Sequence, residues 1–172
     1  MARNIEIKAK SGDYQGQMSI AENLSGGKVQ HLFQEDTFFC VPEGRLKLRE
    51  FGDSTGELIQ YERPDTVEPA ECRYIRHATD DPASLKETLT KSLGIRAVVR
   101  KKRTVYLVGQ TRIHFDEVED LGKFIELEVV LRQGEDTDSG VAIAEDLMKK
   151  LGIVRQDLIE QAYVDLLEER GT

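Results

Sequence analysis

Three segments of this chain alternate apolar with charged residues at a spacing of two. Ile5, Ile7 and Ala9 interleave with Glu6, Lys8 and Lys10; Leu46 and Leu48 with Arg45, Lys47 and Arg49; Ile125 and Leu127 with Glu126 and Glu128. Successive side chains of a β-strand point to opposite faces, so this spacing predicts strands with one apolar and one charged face. The same signal, with turn residues between, predicts eight strands at about 3–11, 28–41, 45–51, 56–63, 70–79, 96–109, 112–118 and 123–132. Pro42-Glu43-Gly44 and Gly109-Gln110-Thr111 read as hairpin turns, and the short connections imply mainly antiparallel pairing.

The signs of the charges constrain the fold further. A half-buried sheet ordinarily turns its polar face to water, and those charges are then mixed in sign. Here cations recur on one face at Lys8/Lys10, at Arg45/Lys47/Arg49 and at Lys101/Arg103, while Glu126/Glu128 is wholly anionic. Like charges that close repel unless something neutralises them. Eight strands can close into a barrel whose lumen holds side chains or one small ligand. With helices packed on the apolar outside, the charged faces line that lumen, which must then be wet and bind ions, because unpaired buried charges cost on the order of several kcal/mol each. Clustered Arg and Lys suit phosphate oxygens. Carboxylates two apart on one strand suit a hard divalent cation such as Mg²⁺ or Mn²⁺.

Helices fall between and after the strands. One is expected near 14–24. A second opens at Asp81-Pro82, carries Leu85, Leu89 and Leu93, and stops at Gly94. Two more close the chain, the first with Val141, Ile143, Leu147 and Leu151 ending at Gly152, the second with Leu158, Ile159, Ala162, Tyr163, Leu166 and Leu167; these stripes read as core packing. The expected class is therefore α+β: an eight-stranded antiparallel closed β-barrel, a tunnel, with helices packed outside. It forms a single domain over 1–172, with barrel strands and two helices in 1–133 and the C-terminal helices in 134–172. Thr37–Glu50 also aligns without gaps to Thr104–Glu117, with Thr, Val, Arg and Glu matching. That echo predicts a strand, helix, strand, hairpin, strand unit used twice, as two pseudo-equivalent half-barrels around 1–66 and 67–133.

The net charge of −8 is unevenly distributed: residues 134–172 contribute −6 and residues 1–133 only −2. A sequence pI near 5.0 disfavours long nucleic acid as a partner, whereas a small polyanion inside a local cluster of cations is compatible with it. No segment approaches the roughly 20 apolar residues of a membrane span. Cys40 and Cys72 are far apart and outside any metal-ligand spacing, and the first residues lack a signal-peptide apolar region, so a reducing cytoplasm is the expected compartment. The acidic helical tail is available to cap the barrel or to form a homodimer surface.

Asn4-Ile5-Glu6-Ile7-Lys8, the Arg45–Arg49 strand, Tyr61-Glu62-Arg63-Pro64, Lys101/Arg103, Arg112 with Asp116, and Glu126-Leu127-Glu128 together resemble the CYTH superfamily of triphosphate tunnel metalloenzymes. That superfamily includes class IV adenylyl cyclases, thiamine triphosphatases and inorganic triphosphatases. The likeness runs in order from residue 3 to about 130, and it is strongest to the class IV cyclase-like branch. The family pattern begins Glu-x-Glu-x-Lys, and Asn4 stands at its first Glu, offering a carbonyl oxygen without charge.

The resemblance implies a metal set of Glu6, Glu126 and Glu128 with Asp116 as a further candidate. It implies a triphosphate grip of Lys8, Arg45, Lys47, Arg63, Lys101, Arg103 and Arg112, to which Lys10 and Arg49 are added by their strand phase. Lys8, Glu6 and Arg63 are the expected catalytic residues. Phosphoryl chemistry asks chiefly for positioning and charge stabilisation, which cations and a Mg²⁺ or Mn²⁺ cofactor supply. The expected activity is cleavage of a P–O–P linkage in ATP, thiamine triphosphate or inorganic triphosphate. Cyclisation of ATP to cyclic AMP and pyrophosphate is one alternative, and non-catalytic nucleotide or polyphosphate binding is the other.

Overall fold

The computed structural model describes residues 1–171. Eight strands close an antiparallel barrel: β1 (Ala2–Lys10), β2 (Val29–Phe39), β3 (Arg45–Glu50), β4 (Gly56–Glu62), β5 (Ala70–Thr79), β6 (Ile95–Val108), β7 (Thr111–Val118) and β8 (Gly122–Val130). Their order around the barrel is β1-β5-β4-β3-β2-β6-β7-β8, with β8 pairing back to β1. Helices α1 (Tyr14–Ser25), α2 (Pro82–Leu93), α3 (Thr137–Leu151) and α4 (Tyr163–Gly171) lie against it. No helix among the described residues is long and apolar enough to cross a membrane.

The repeat predicted from the sequence is present with one difference. Each unit runs strand, helix, then three strands, and β2-β3-β4 and β6-β7-β8 form two matching three-stranded arcs. The first strands are exchanged, however: β1 pairs with β5 and β8 of the second unit, and β5 pairs with β1 and β4 of the first. Each half therefore lacks a strand without the other, and the barrel closes only when both are formed.

The apolar strand faces point outward, against the helices. Ile7, Ala9, Ile113, Phe115, Ile125 and Leu127 pack with Ala21 of α1 and with Leu147 and Leu151 of α3. Removing a Phe115- or Ile113-sized side chain from water contributes about 1.5–3 kcal/mol, and both are fully buried. Gly140 lets α3 approach β1 closely, since a Cβ there would sit 2.6 Å from Ile5 Cγ1. Local signals set the helix ends: Asp13, Asp81 and Asp136 accept hydrogen bonds from Gly16, Ser84 and Ser139 N–H groups, and Gly26 and Gly152 close α1 and α3 in the left-handed conformation.

The last predicted helix begins later than expected. A 3₁₀ turn spans Arg155–Asp157, and the chain then crosses the end of β1, where Ala9 bridges to Leu158 and Ile159 N–H donates to the Lys8 carbonyl oxygen at 2.9 Å. Leu158, Ile159 and Ala162 therefore precede α4, whose start is held by the Asp165 carboxylate accepting from Ala162 N–H at 3.0 Å. The reason is tertiary: free backbone groups at the end of β1 compete for this segment with the helical bonds it would otherwise make.

Candidate functional site

The barrel encloses a cavity of about 280 Å³. Nine Lys and Arg and five Asp and Glu side chains line it, a formal excess of four positive charges. On β3, β6 and β8 the inward charges are of one sign, as their sequence parity predicts. Lys47 and Arg49 of β3 and Lys101 and Arg103 of β6 form a cationic wall, while Glu6 of β1 and Glu126 and Glu128 of β8 form an acidic one.

On the acidic wall the register sets Glu6 directly opposite Glu128 and Lys8 opposite Glu126. Burial, together with the like charges of Glu128 and Glu126, pushes the Glu6 carboxyl up to about 7 against the attraction of Arg63. Burial also opposes ionisation of Glu126, yet Lys8 and Arg103 hold its carboxyl well below the usual range. Lys8 Nζ is 3.5 Å from Glu126 Oε1, Arg103 Nη2 donates to Glu126 Oε2 at 3.1 Å, and Arg112 Nε donates to Glu128 Oε2 at 2.8 Å. His114 sits between the two, Nδ1 3.6 Å from Glu126 and Nε2 3.7 Å from Glu128, and its Nδ1 has no hydrogen-bond partner.

Asn4 is fully buried on the same wall. Its Nδ2 donates to Glu6 Oε1 at 3.4 Å and its Oδ1 accepts from the Tyr74 hydroxyl at 3.4 Å. The residue at the pattern's first Glu position thus donates to an acid instead of adding a fourth negative charge.

Among the described residues, no three carboxylate, imidazole or thiol groups already stand in an arrangement that holds a metal ion, because the carboxylates are turned toward Lys8, Arg103 and Arg112. The donor chemistry nonetheless suits a hard divalent cation. Three half-buried acids share one wall, and a cation placed between the opposed Glu6 and Glu128 would relieve their like charges.

Arg63 follows β4 and stands beside the acidic wall. Its side chain is 7% exposed, its Nε lies 3.8 Å from Glu6 Oε2, and both Nε and Nη2 are buried with no hydrogen-bond partner. A guanidinium whose donors are buried and unused is costly unless a ligand accepts from them. Lys8 and Lys101 are also strained as cations: burial lowers the first to about 8 and the second to about 7.

Of the expected triphosphate-gripping residues, Lys8, Arg45, Lys47, Arg49, Arg63, Lys101, Arg103 and Arg112 line the cavity. Arg45 does so at the α4 end, where its Nη2 donates to Asp65 at 2.9 Å and Asp165 at 3.0 Å. Lys10 is not brought to the wall. It shares parity with Lys8 but lies beyond the point where the 158–162 segment crosses β1, and it is exposed. Asp116 is not brought to the wall either. It is fully buried behind Arg103, which donates to both its oxygens at 2.6 Å, and the Tyr163 hydroxyl donates to Oδ2 at 2.7 Å. Both oxygens are occupied, so Asp116 acts here as the partner that orients Arg103.

Two site residues escaped the sequence reading. Tyr163 packs in the expected apolar stripe with Ile159, Ala162 and Phe124, and it also turns its ring to the cavity, 3.9 Å from Lys8 Nζ. Lys8 Nζ also donates to the Gln161 carbonyl oxygen at 3.2 Å. Asp36 of β2 is 1% exposed and accepts from Lys47, Arg49 and Lys101. Its inward parity was available from Gln34 and Phe38, which share it. With no alternation of charge along β2, nothing marked it out.

Arg100, by contrast, is exposed and pairs with Glu35 and Glu119 on the outer surface, as its opposite parity to Lys101 predicts. Cys72 lines the cavity as a small buried residue, and neither cysteine is in a disulfide.

Comparison with known proteins agrees with this geometry. A Methanocaldococcus jannaschii protein named "Putative adenylate cyclase" is 25% identical over 173 residues, covering 94% of this chain and 97% of that protein. A solved Pyrococcus horikoshii structure superposes with a TM-score of 0.85 at 23% identity, covering 95% of this chain and 98% of that one. A Hippeastrum "putative adenylyl cyclase", reported to reveal a dominant triphosphatase activity, superposes with a TM-score of 0.65 at 17% identity, covering 94% of this chain and 91% of that one. These two structural likenesses show a shared fold. The family model described as the CYTH domain matches residues 2–163, which is nearly the whole chain and includes every wall of the tunnel. The chain therefore belongs to the CYTH domain family.

Proposed function

We propose that the chain binds a triphosphate in the tunnel and hydrolyses a P–O–P linkage with the help of Mg²⁺ or Mn²⁺. The observation that carries the reading is Arg63, a buried guanidinium with unused donors beside the carboxylate wall of a cavity whose other wall is cationic. An anion that binds cations on one side and a metal on the other fits that cavity, and a metal-bound triphosphate is such an anion.

Lys47, Arg49 and Lys101 neutralise non-bridging phosphate oxygens, and Arg63 donates its free N–H groups to the phosphate nearest the acidic wall. Glu6, Glu126 and Glu128 would hold the metal, which supplies charge neutralisation and polarisation of the phosphoryl oxygens when bound. Glu6 also keeps Arg63 in place across their 3.8 Å contact. Water adds to the terminal phosphorus as the bridging P–O bond breaks, the electron pair leaves on the bridging oxygen, and the water protons pass to the phosphate products and solvent. Lys8, held over the Tyr163 ring and beside Glu126, donates to the departing oxygen.

The triphosphatase activity reported for the Hippeastrum relative supports hydrolysis over cyclisation. The test is incubation of the protein with Mg²⁺ or Mn²⁺ and, in separate reactions, ATP, inorganic triphosphate or thiamine triphosphate, with the products resolved by chromatography. Orthophosphate is the expected product. Cyclic AMP with pyrophosphate would replace the reading by a cyclase, and binding without turnover would replace it by a sensor.

A further inference from the structure

Asp36 is an anion at the centre of a wall expected to bind anions. It projects from β2, between β3 and β6 in the barrel, and takes hydrogen bonds from both neighbours. Arg49 Nε donates to Oδ1 at 2.8 Å and Arg49 Nη2 to Oδ2 at 2.8 Å. Lys47 Nζ and Lys101 Nζ each donate to Oδ2 at 3.0 Å. Four donors from three cations engage the carboxylate, one at Oδ1 and three crowded on Oδ2. Each lysine retains two N–H bonds for another acceptor, so the carboxylate fixes where the ammonium groups stand without exhausting them.

We propose that Asp36 is the positioning residue of the phosphate-binding wall, holding Lys47, Arg49 and Lys101 together so that their remaining donors converge on one polyphosphate. The proposal rests on the triphosphate-binding reading above and adds a residue to it. Lys101 is the member most sensitive to the loss of Asp36. Its ammonium is buried and faces Asp36 on β2, Lys47 and Arg49 on β3, Arg103 on its own strand and the Tyr163 ring of α4, 5.9 Å away. Asp36 is the one acid among these, and without it Lys101 is surrounded by burial and like charge, both of which favour the neutral amine.

Simple Coulombic reasoning makes the opposite prediction, and this allows a decisive test. If Asp36 were only a competitor for the cations, removing its charge would tighten the binding of an added anion. Inorganic triphosphate is titrated calorimetrically into the wild-type protein, Asp36→Asn and Asp36→Glu, each checked for folding by circular dichroism, between pH 6.5 and 9. Asp36→Asn is expected to raise Kd at least about tenfold at pH 8 and to move the pH at which binding is lost down by about one unit. Adding Lys101→Arg to Asp36→Asn, which supplies a cation that cannot lose its proton, is expected to abolish the downward shift and to retain binding at and above the wild-type pH midpoint, and a merely structural defect would not respond in this way.

If Asp36→Asn does not fold, Asp36→Glu carries the test, because it keeps the charge but displaces it by a methylene; at least about a fivefold rise in Kd is expected. Unchanged or tighter binding in the folded variant would overturn the proposal while leaving the triphosphate reading intact. Absence of binding to the wild-type protein would overturn that reading instead.

Discussion

Asp116→Ala separates a structural from a metal-ligating role for the buried acid behind Arg103. The substitution removes the acceptor of three short hydrogen bonds, two from Arg103 at 2.6 Å and one from Tyr163 at 2.7 Å. It leaves a guanidinium only 5% exposed with Glu126 at 3.1 Å as its remaining carboxylate partner. Breaking a buried ion pair from one side costs about 3–5 kcal/mol, because the surviving charge stays desolvated. Against a total stability of about 5–15 kcal/mol for a domain, that is a large fraction. Equilibrium urea unfolding of the metal-free protein reads it: with a slope of about 2 kcal/mol per molar, the midpoint should fall by roughly 1.5–2.5 M with the slope unchanged. Mn²⁺ affinity, followed by electron paramagnetic resonance of the free ion, should change less than about threefold, since both Asp116 oxygens already face Arg103 and Tyr163. A stability loss under about 1 kcal/mol together with a tenfold or greater loss of Mn²⁺ affinity would refute this reasoning and return Asp116 to the metal set.

The joint change Glu126→Gln and Glu128→Gln should abolish metal-dependent turnover of the preferred triphosphate, and retained turnover would show the metal assignment to be wrong. Lys101, lowered to about 7 by burial, should make triphosphate binding proton-linked. Above pH 7 the free protein carries the neutral amine and the complex the ammonium, so at pH 8 binding should take up to about one proton, measured by calorimetry in buffers of different ionisation enthalpy. The same group has a stability signature. Between about 7 and its ordinary value of 10.5 the unfolded chain binds more protons at this lysine than the native one, so its contribution to stability rises with pH across that window, and its cost is fully present below it. Gly140→Ala places a methyl 2.6 Å from Ile5 Cγ1 and 2.7 Å from Leu131 Cδ2. Thermal unfolding should show about 1–3 kcal/mol of destabilisation with the tunnel chemistry preserved.

The strands were readable because a charged-apolar alternation is a local property. Glu126-Leu127-Glu128 states its own parity, and parity alone separates the inward Lys101 and Arg103 from the outward Arg100. The helices announced their ends through single residues, Asp81-Pro82 at one start and Gly152 at one stop, for the same local reason. The reading weakened wherever a side chain's role depended on a partner distant in sequence. Lys10 has the right parity but stands past the end of the lumen, and only the crossing of Leu158 over Ala9 shows where the lumen ends. Asp116 has a carboxylate's chemistry but spends it on Arg103, a choice made by the register of β6 against β7.

By itself, then, the sequence determined that this chain forms charged-faced strands, that some of these faces are wholly cationic and one wholly anionic, and that two similar units follow one another. Each is a consequence of backbone periodicity and of residue type at nearby positions. Tertiary structure alone decided that β1 and β5 change places between the halves, that Tyr163 of the apolar stripe also faces the tunnel, and that Asp36 gathers three cations from two neighbouring strands. Those outcomes depend on which strand edges meet when the barrel closes and on the cost of leaving a buried charge or backbone group unpaired. Both are settled by contacts between residues far apart in the chain.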